Sequence, residues 1–223
     1  MRQLVVVADL PPPKASQYVV NSHGSGQHLL ALVNDVLDFT RTGAKGVDLV
    51  DEPIDLAWLV NSVVRDAASR PGAVGIRITG KLPDDLPSLK ADPVLVQKCL
   101  AHLFSNAVKF SGIGGTISCT VDIGVDGGIH LAVTDKGSGI SADKMENIFD
   151  PFEQEDDGLN RHHEGLGIGL PLTRSLMLAH GGDVRIKSLP GVGTVATLVF
   201  PPDRTVAYCA RSTPAEQDRT AAA

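Results

Sequence analysis

Four short stretches of this chain carry residue types that could hold a metal ion and phosphates beside a flat ring. The first, LAHLFSNAVKF at 100–110, has helical spacing, and Asn106 and Lys109 fall three residues apart on one helix face. An amide oxygen next to an ammonium suits a metal ion and phosphate. The second, TDKGSGI at 134–140, closes a strand-like run in Asp135, followed by Gly137 and Gly139, where the backbone can approach a flat ligand closely. The third, EGLGIGLPL at 164–172, runs Gly165, Gly167 and Gly169 into a helix starting at Leu170. Free N–H groups and the dipole at such a start favour phosphate. The fourth, PGVGTVATLVF at 190–200, places Thr194 after Gly191 and Gly193.

The elements that must position these residues follow from pattern. Residues 1–10 are a short apolar piece, strand or last helical turns, stopped by Pro11, Pro12 and Pro13. Ser16 or a neighbour caps a long helix to about Thr42, with Leu29, Leu32, Val33, Val36 and Leu37, and Phe39 close behind, as a broad apolar stripe. Gly43 and Gly46 mark a boundary near Lys45. Residues 47–56 read as a strand whose Pro53 suits a sheet edge, and 57–69 as an amphipathic helix with Trp58, Leu59, Val63 and Ala67 in the core. Residues 75–80 and 86–90 are extended, and Asp92-Pro93 then opens a helix, Asp at the cap and Pro in the first turn. On it Val94, Leu95, Leu100, Leu103, Phe104 and Ala107 point inward, leaving His102, Asn106 and Lys109 on a separate face.

Two strands, 115–123 and 129–135, are joined by the hairpin signal Asp126-Gly127-Gly128 and should pair antiparallel. Ser141 begins a helix through about Ile148, and Phe149 and Phe152 pack the base of a polar, poorly anchored segment at 154–164. A helix from Leu170 to His180, closed by Gly181-Gly182, and strands at 183–188 and 194–200 complete the sheet. Beyond Pro202 the residues are small and polar, and weak order is expected.

Composition narrows the function classes. With 223 residues, 43% of them apolar, the chain can fill an ordinary core. A net charge of −6, from 20 basic and 26 acidic residues, leaves no electrostatic footprint for nucleic acid or an anionic membrane. Cys99, Cys119 and Cys209 are odd in number and lack C-x-x-C spacing, so a reducing compartment with buried thiols is expected, and zinc is not. No apolar run has the length of a membrane span, and the start lacks signal-peptide character. No P-loop, dinucleotide fingerprint, serine elbow or H-E-x-x-H occurs.

In this order, the four stretches resemble the nucleotide-binding domain of sensor histidine kinases, within the superfamily that includes the ATPase domains of DNA gyrase, heat-shock chaperones and mismatch-repair proteins. The resemblance covers roughly residues 27–201, and IFDPFEQ at 148–154 looks like the Phe box that separates histidine kinases from the other members. It implies a site for ATP and Mg²⁺. Asn106 would supply an oxygen to the cation, Lys109 would neutralise phosphate, and Asp135 would accept a hydrogen bond from the adenine amine, supported by Thr194. Gly137, Gly139, Phe149, Phe152, Gly165, Gly167, Gly169 and Leu170 would line the nucleotide, and the segment 154–164 would be the ATP lid. Arg161, His162 and His163 could reach phosphate from that lid, and a solvated basic cluster accounts for them equally well. Residues 26–39 look like the second helix of a dimerisation hairpin, two of which form a four-helix bundle; a core helix of a single domain is the other reading.

Two departures from the family pattern stand out. His102 occupies a position where the family usually has a second Asn, and imidazole is a poorer Mg²⁺ ligand than an amide oxygen, so its place in the metal site stays open. The phospho-accepting histidine box is missing: His23 precedes Gly24, His28 precedes Leu29, and His163, before Glu164, lies in the lid. Either the sequence starts downstream of the acceptor or the natural protein has lost it.

The expected fold is α/β (α+β): a two-layer sandwich whose mixed, mainly antiparallel sheet is covered by helices on one face, preceded by a helical dimerisation segment. Its parts are 1–45 (dimerisation helix), 46–202 (ATP-binding catalytic domain) and 203–223 (tail). The expected function is the catalytic, ATP-binding region of a two-component histidine kinase, cytoplasmic, homodimeric through the N-terminal helix and serving a response-regulator receiver domain. No self-phosphorylation by this chain is expected. The alternatives are a degenerate nucleotide-sensing or docking dimer and, disfavoured by charge and the Phe box, a DNA-linked ATPase.

Overall fold

The computed structural model of the chain describes residues 30, 33–40, 47–152 and 167–207. After a helical segment α1 (residues 33–40), the order is β1 (Glu52–Ile54), α2 (Leu56–Ala68), β2 (Arg77–Lys81), β3 (Ser88–Ala91), α3 (Pro93–Phe110), β4 (Thr116–Ile123), β5 (Ile129–Asp135), α4 (Ala142–Met145), α5 (Gly169–Ala179), β6 (Asp183–Leu189), β7 (Gly193–Phe200) and β8 (Thr205–Val206). The expected start of the N-terminal helix and the lid fall outside the described residues.

A five-stranded sheet, in the order β2-β4-β5-β7-β6, is antiparallel except for the parallel β2–β4 pair. β5 alternates strictly: Ile129, Leu131, Val133 and Asp135 are buried, and the residues between them are half-buried. On β4 the buried residues Ile117, Cys119 and Val121 stand opposite Asp135, Val133 and Leu131, so one continuous apolar face forms. Helices α2, α3 and α5 cover that face. Each fully buried aliphatic side chain there contributes roughly 1.5–3 kcal/mol. Burial pushes the Cys99 and Cys119 thiols up to about 12, and both are free and buried, as their apolar settings suggested.

Each helix starts where a capping residue allows it. Asp55 accepts from the Trp58 N–H at 3.0 Å and caps α2, whose buried stripe is Leu56, Leu59, Val60, Val63 and Ala67. Trp58, expected in the core, is 38% exposed. Its position two residues into the helix lies off that stripe. Asp92 caps α3 through bonds from the Val94 and Leu95 N–H groups, and its second oxygen takes the Val50 N–H at 3.1 Å. The buried face of α3 runs Val96, Cys99, Leu100, Leu103, Phe104, Ala107. Val94 is therefore 71% exposed instead of inward-facing, because the 3.6-residue period carries the stripe past it.

Beyond the single sheet expected, β1, β3 and β8 form a second, small antiparallel sheet with β3 in the centre. Pro53 sits on its edge strand, where a missing N–H is tolerated. β8 overturns the expectation of weak order directly beyond Pro202. A short turn, Pro202–Arg204, leads into it, and Arg204 bonds the Asp51 carboxylate at 2.6 Å and the carbonyls of His180 and Lys90. His180, 1% exposed, ends α5. Its Nδ1–H donates to the Leu176 carbonyl at 2.7 Å, while Nε2 accepts the Asp92 N–H at 3.2 Å. That pattern requires neutral imidazole, and burial, ahead of the opposing Leu176 bond, holds its pKa below the usual value.

Candidate functional site

Helix α3 is the spine of the site. His102, Asn106 and Phe110 follow at four-residue steps, a single stripe rising about 6 Å per step. At the lower end stands the start of α5: a Cβ on Gly169 would lie 3.1 Å from His102 Nδ1. At the upper end stands the turn after β5. A Cβ on Gly137 would lie 2.3 Å from the Phe110 carbonyl oxygen, and the Ser138 N–H donates to that same oxygen at 3.3 Å. Asn106, half-buried, lies midway between the two glycine segments. Three stretches separated in sequence by tens of residues thus meet along one helix.

Asp135, the last residue of β5, is buried, with Oδ1 accepting the Gly137 N–H at 2.8 Å. Across the ladder its partner is Thr194, whose backbone N–H also faces the carboxylate. Burial raises the Asp135 pKa above the ordinary aspartate value, and those two N–H groups partly oppose the rise. The Thr194 side chain does not make the contact. Its Oγ1 is 2.8 Å from Ser188 Oγ on β6.

Gly139 has φ +70°, and a Cβ there would stand 2.0 Å from the Leu189 carbonyl oxygen. Gly193 is as tightly placed, 2.1 Å from the Asp135 carbonyl oxygen by the same construction. The turn after β5 is therefore pressed backbone to backbone against the β6–β7 turn, and a bond from the Gly191 N–H to the Ser138 carbonyl at 2.6 Å closes the seam. Gly167 also has φ +70°, two residues ahead of α5, and Leu170 packs partly buried against the core.

The remaining expected residues divide. The Lys109 ammonium lies 5.0 Å from the Phe110 ring centroid. Phe149 packs against the core, with the Arg174 guanidinium 4.6 Å above its ring. Phe152, expected to pack beside it, is 64% exposed and has φ +70°, a left-handed turn that directs it outward. Arg161, Gly165, His162 and His163 lie outside the described residues. His102 is turned toward α1: its Nε2 is buried, makes no hydrogen bond and stands 3.6 Å from Asp35 Oδ1. Burial, ahead of the opposing pull of Asp35 and together with Lys98 and Arg70, holds its pKa below the usual imidazole value. Lys98 clasps α1 through Asp35 at 2.8 Å and Asp38 at 2.7 Å. Burial alone would lower the Lys98 pKa, but the two carboxylates outweigh it and hold it above the usual value.

Residues 91–204 match the model of the histidine kinase-, DNA gyrase B- and HSP90-like ATPase family. The chain belongs to that family. Its relatives are of the histidine kinase branch. It is 36% identical to an uncharacterised sensor-like histidine kinase of Rhizobium meliloti, over 84% of this chain and 35% of the relative. It is 31% identical to the cell-division control histidine kinase PdhS of Brucella suis, over 85% of this chain and 19% of the relative. The chain therefore spans about a third of the length of the first relative and about a fifth of the second. Among solved structures, full-length ShkA in complex with AMPPNP superposes with a TM-score of 0.76 at 31% identity, covering 96% of this chain and 42% of that one. The mycobacterial sensor histidine kinase MprB, 21% identical with a TM-score of 0.60, shares the fold. This is a histidine kinase ATPase domain, with the mixed sheet and helical layer of that fold. Among the described residues no helix is long and apolar enough to cross a membrane.

Sequence reasoning missed Ser188, His180 and the Lys98 clasp. Ser188 had one available signal: as the sixth residue of a seven-residue strand it shares a face with buried Val184 and half-buried Ile186, where a hydroxyl needs a partner.

Proposed function

We propose that this chain binds Mg-ATP as the catalytic part of a sensor histidine kinase and presents its γ-phosphoryl to a histidine outside the motifs found here. The observation that carries the reading is the convergence on α3, with Asn106 between the Gly169 and Asp135–Gly137 segments. Asp135 reads the adenine amine, Gly137 and Gly139 let the turn beside it pack on the Phe110 and Leu189 carbonyls, and Lys109 and the N-terminus of α5 serve the phosphates. Bound Mg²⁺ neutralises charge on the phosphate oxygens. One amide oxygen from Asn106 fits such a cation, which keeps waters and takes its other ligands from phosphate. His102, turned to Asp35, is left out of that set. Leu170, Phe149, Gly165, Gly167 and Arg161 complete the nucleotide surroundings in this reading, with Thr194 acting through its backbone. The protein supplies positioning and charge, the terms that dominate phosphoryl transfer.

Exposed Leu30, Val33 and Leu37 on the N-terminal helical segment support a homodimer through that helix. The whole protein would act in the cytoplasm on a response-regulator receiver domain. One observation favours the second reading, a nucleotide-sensing or docking dimer without catalysis: His102 faces α1 and leaves Asn106 as the only amide oxygen of its stripe. Calorimetric titration with ATP, with and without Mg²⁺, on the wild type and Asn106→Ala separates these. Metal-dependent binding reduced at least about tenfold in the variant supports the kinase domain. Binding that ignores the metal supports the docking dimer, and absence of ATP binding overturns the nucleotide reading.

A further inference from the structure

Three backbone segments around Asp135 are joined by a single side-chain oxygen. Ser188 Oγ donates to the Gly193 carbonyl at 2.9 Å and accepts the Ile140 N–H at 2.8 Å. Its one proton is thereby used, so in the 2.8 Å contact with Thr194 Oγ1 the threonine is the donor. The hydroxyl thus ties the turn after β5, through Ile140, to the end of β6 and the start of β7. Those are the segments whose N–H groups orient the Asp135 carboxylate: Gly137 lies three residues before Ile140, and Thr194 is itself a partner of Ser188. Gly193 could not move independently, since its α-carbon packs against the Asp135 carbonyl.

We propose that Ser188 is a positioning residue for purine recognition, holding the Asp135 carboxylate in register to accept the 6-amino group of the base. This rests on the assignment of ATP to the site. Alanine at 188 leaves the Ile140 N–H and the Gly193 carbonyl without this partner and frees the Thr194 hydroxyl to turn. The two N–H groups that aim the carboxylate can then shift relative to one another. A residue that merely stabilised the domain would weaken all nucleotides alike, whereas a positioning residue acts on the 6-amino contact.

The test measures binding of ATP and of purine riboside triphosphate, which lacks the 6-amino group, to the wild type, Ser188→Ala, Ser188→Thr and Asp135→Ala. Circular dichroism checks each fold. In Ser188→Ala the preference for ATP over the analogue should shrink about tenfold, with analogue affinity nearly unchanged. Threonine should restore the preference. It keeps the hydroxyl, β-branching suits a strand, and a cavity of about 430 Å³ lined by Ile140, Met145, Ser188 and Leu189 has room for one methyl group. An unchanged preference in Ser188→Ala, an equal loss for both nucleotides, or failure of threonine to restore it overturns the proposal. If Asp135→Ala loses the preference while Ser188→Ala keeps it, only the role of Ser188 fails. If the wild type binds neither nucleotide, the ATP assignment fails and this proposal with it.

Discussion

Gly139→Ala probes whether the turn after β5 is locked to the β6–β7 turn as closely as the backbone indicates. At φ +70° an L-residue costs about 1–2 kcal/mol. The new Cβ would also stand 2.0 Å from the Leu189 carbonyl oxygen, 2.6 Å from its carbon and 3.0 Å from Pro190 Cα. All three are backbone atoms, so no side-chain rotation relieves the contact. Carbon–oxygen contacts normally settle at about 3.3–3.6 Å, which means the two turns must part by roughly 1 Å or more. That movement strains the Gly191–Ser138 bond at 2.6 Å and the Ile140–Ser188 bond at 2.8 Å, each worth about 1 kcal/mol. The expected loss is about 3–4 kcal/mol.

Gly191→Ala is the matched control. It has φ +74° with nothing within 4 Å of the added carbon, so it should lose only the conformational part, about 1–2 kcal/mol. Urea unfolding of both variants measures the difference directly, and ATP titration should show Gly139→Ala at least about tenfold weaker while Gly191→Ala stays near wild type. Equal stability losses in the two variants would refute the close seam, because the steric part would then be absent.

Three further outcomes follow from the same contacts. Asp135, held above the ordinary aspartate pKa by burial, should lose its charge at a higher pH than an exposed aspartate; ATP affinity measured down an acid series should fall earlier than expected, and Asp135→Asn should abolish that limb. His180, whose folded-state pKa is depressed, contributes stability that is present above the ordinary imidazole value of about 6.5 and is lost as pH falls below it, through the folded-state pKa; urea midpoints from pH 7 to 5 should drop, and His180→Phe should flatten that slope while costing about 1–3 kcal/mol for the stranded Asp92 N–H. Lys98→Met removes both contacts to α1, and since the pair is partly exposed the loss should be no more than about 1 kcal/mol; hydrogen exchange should nevertheless quicken in residues 33–40 and stay unchanged in β5 and β7, and an unaltered exchange rate at 33–40 would show that the clasp does not hold the helix.

What the residue order determined by itself was local. Strict alternation at 129–135, the Asp92-Pro93 cap, the Asp126-Gly127-Gly128 turn and the glycine pair closing α5 each depend on neighbours a few residues away, and these elements lie where spacing placed them. The motifs of the candidate site were recognisable for the same reason, since they are short. Tertiary structure decided the rest. The layer across from α2 and α3 set the phase of each buried stripe, and the 3.6-residue period then left Trp58 and Val94 outside it, while Phe152 turned outward where its backbone enters a left-handed turn. The second sheet needs Arg204 to reach Asp51, 153 residues away, and the neutral state of His180 needs an N–H 88 residues away. Ser188 reaches the turn after β5 only through Ile140, 48 residues earlier. Periodicity along the chain records which face is apolar; it holds no record of which distant group will satisfy a buried hydroxyl or imidazole.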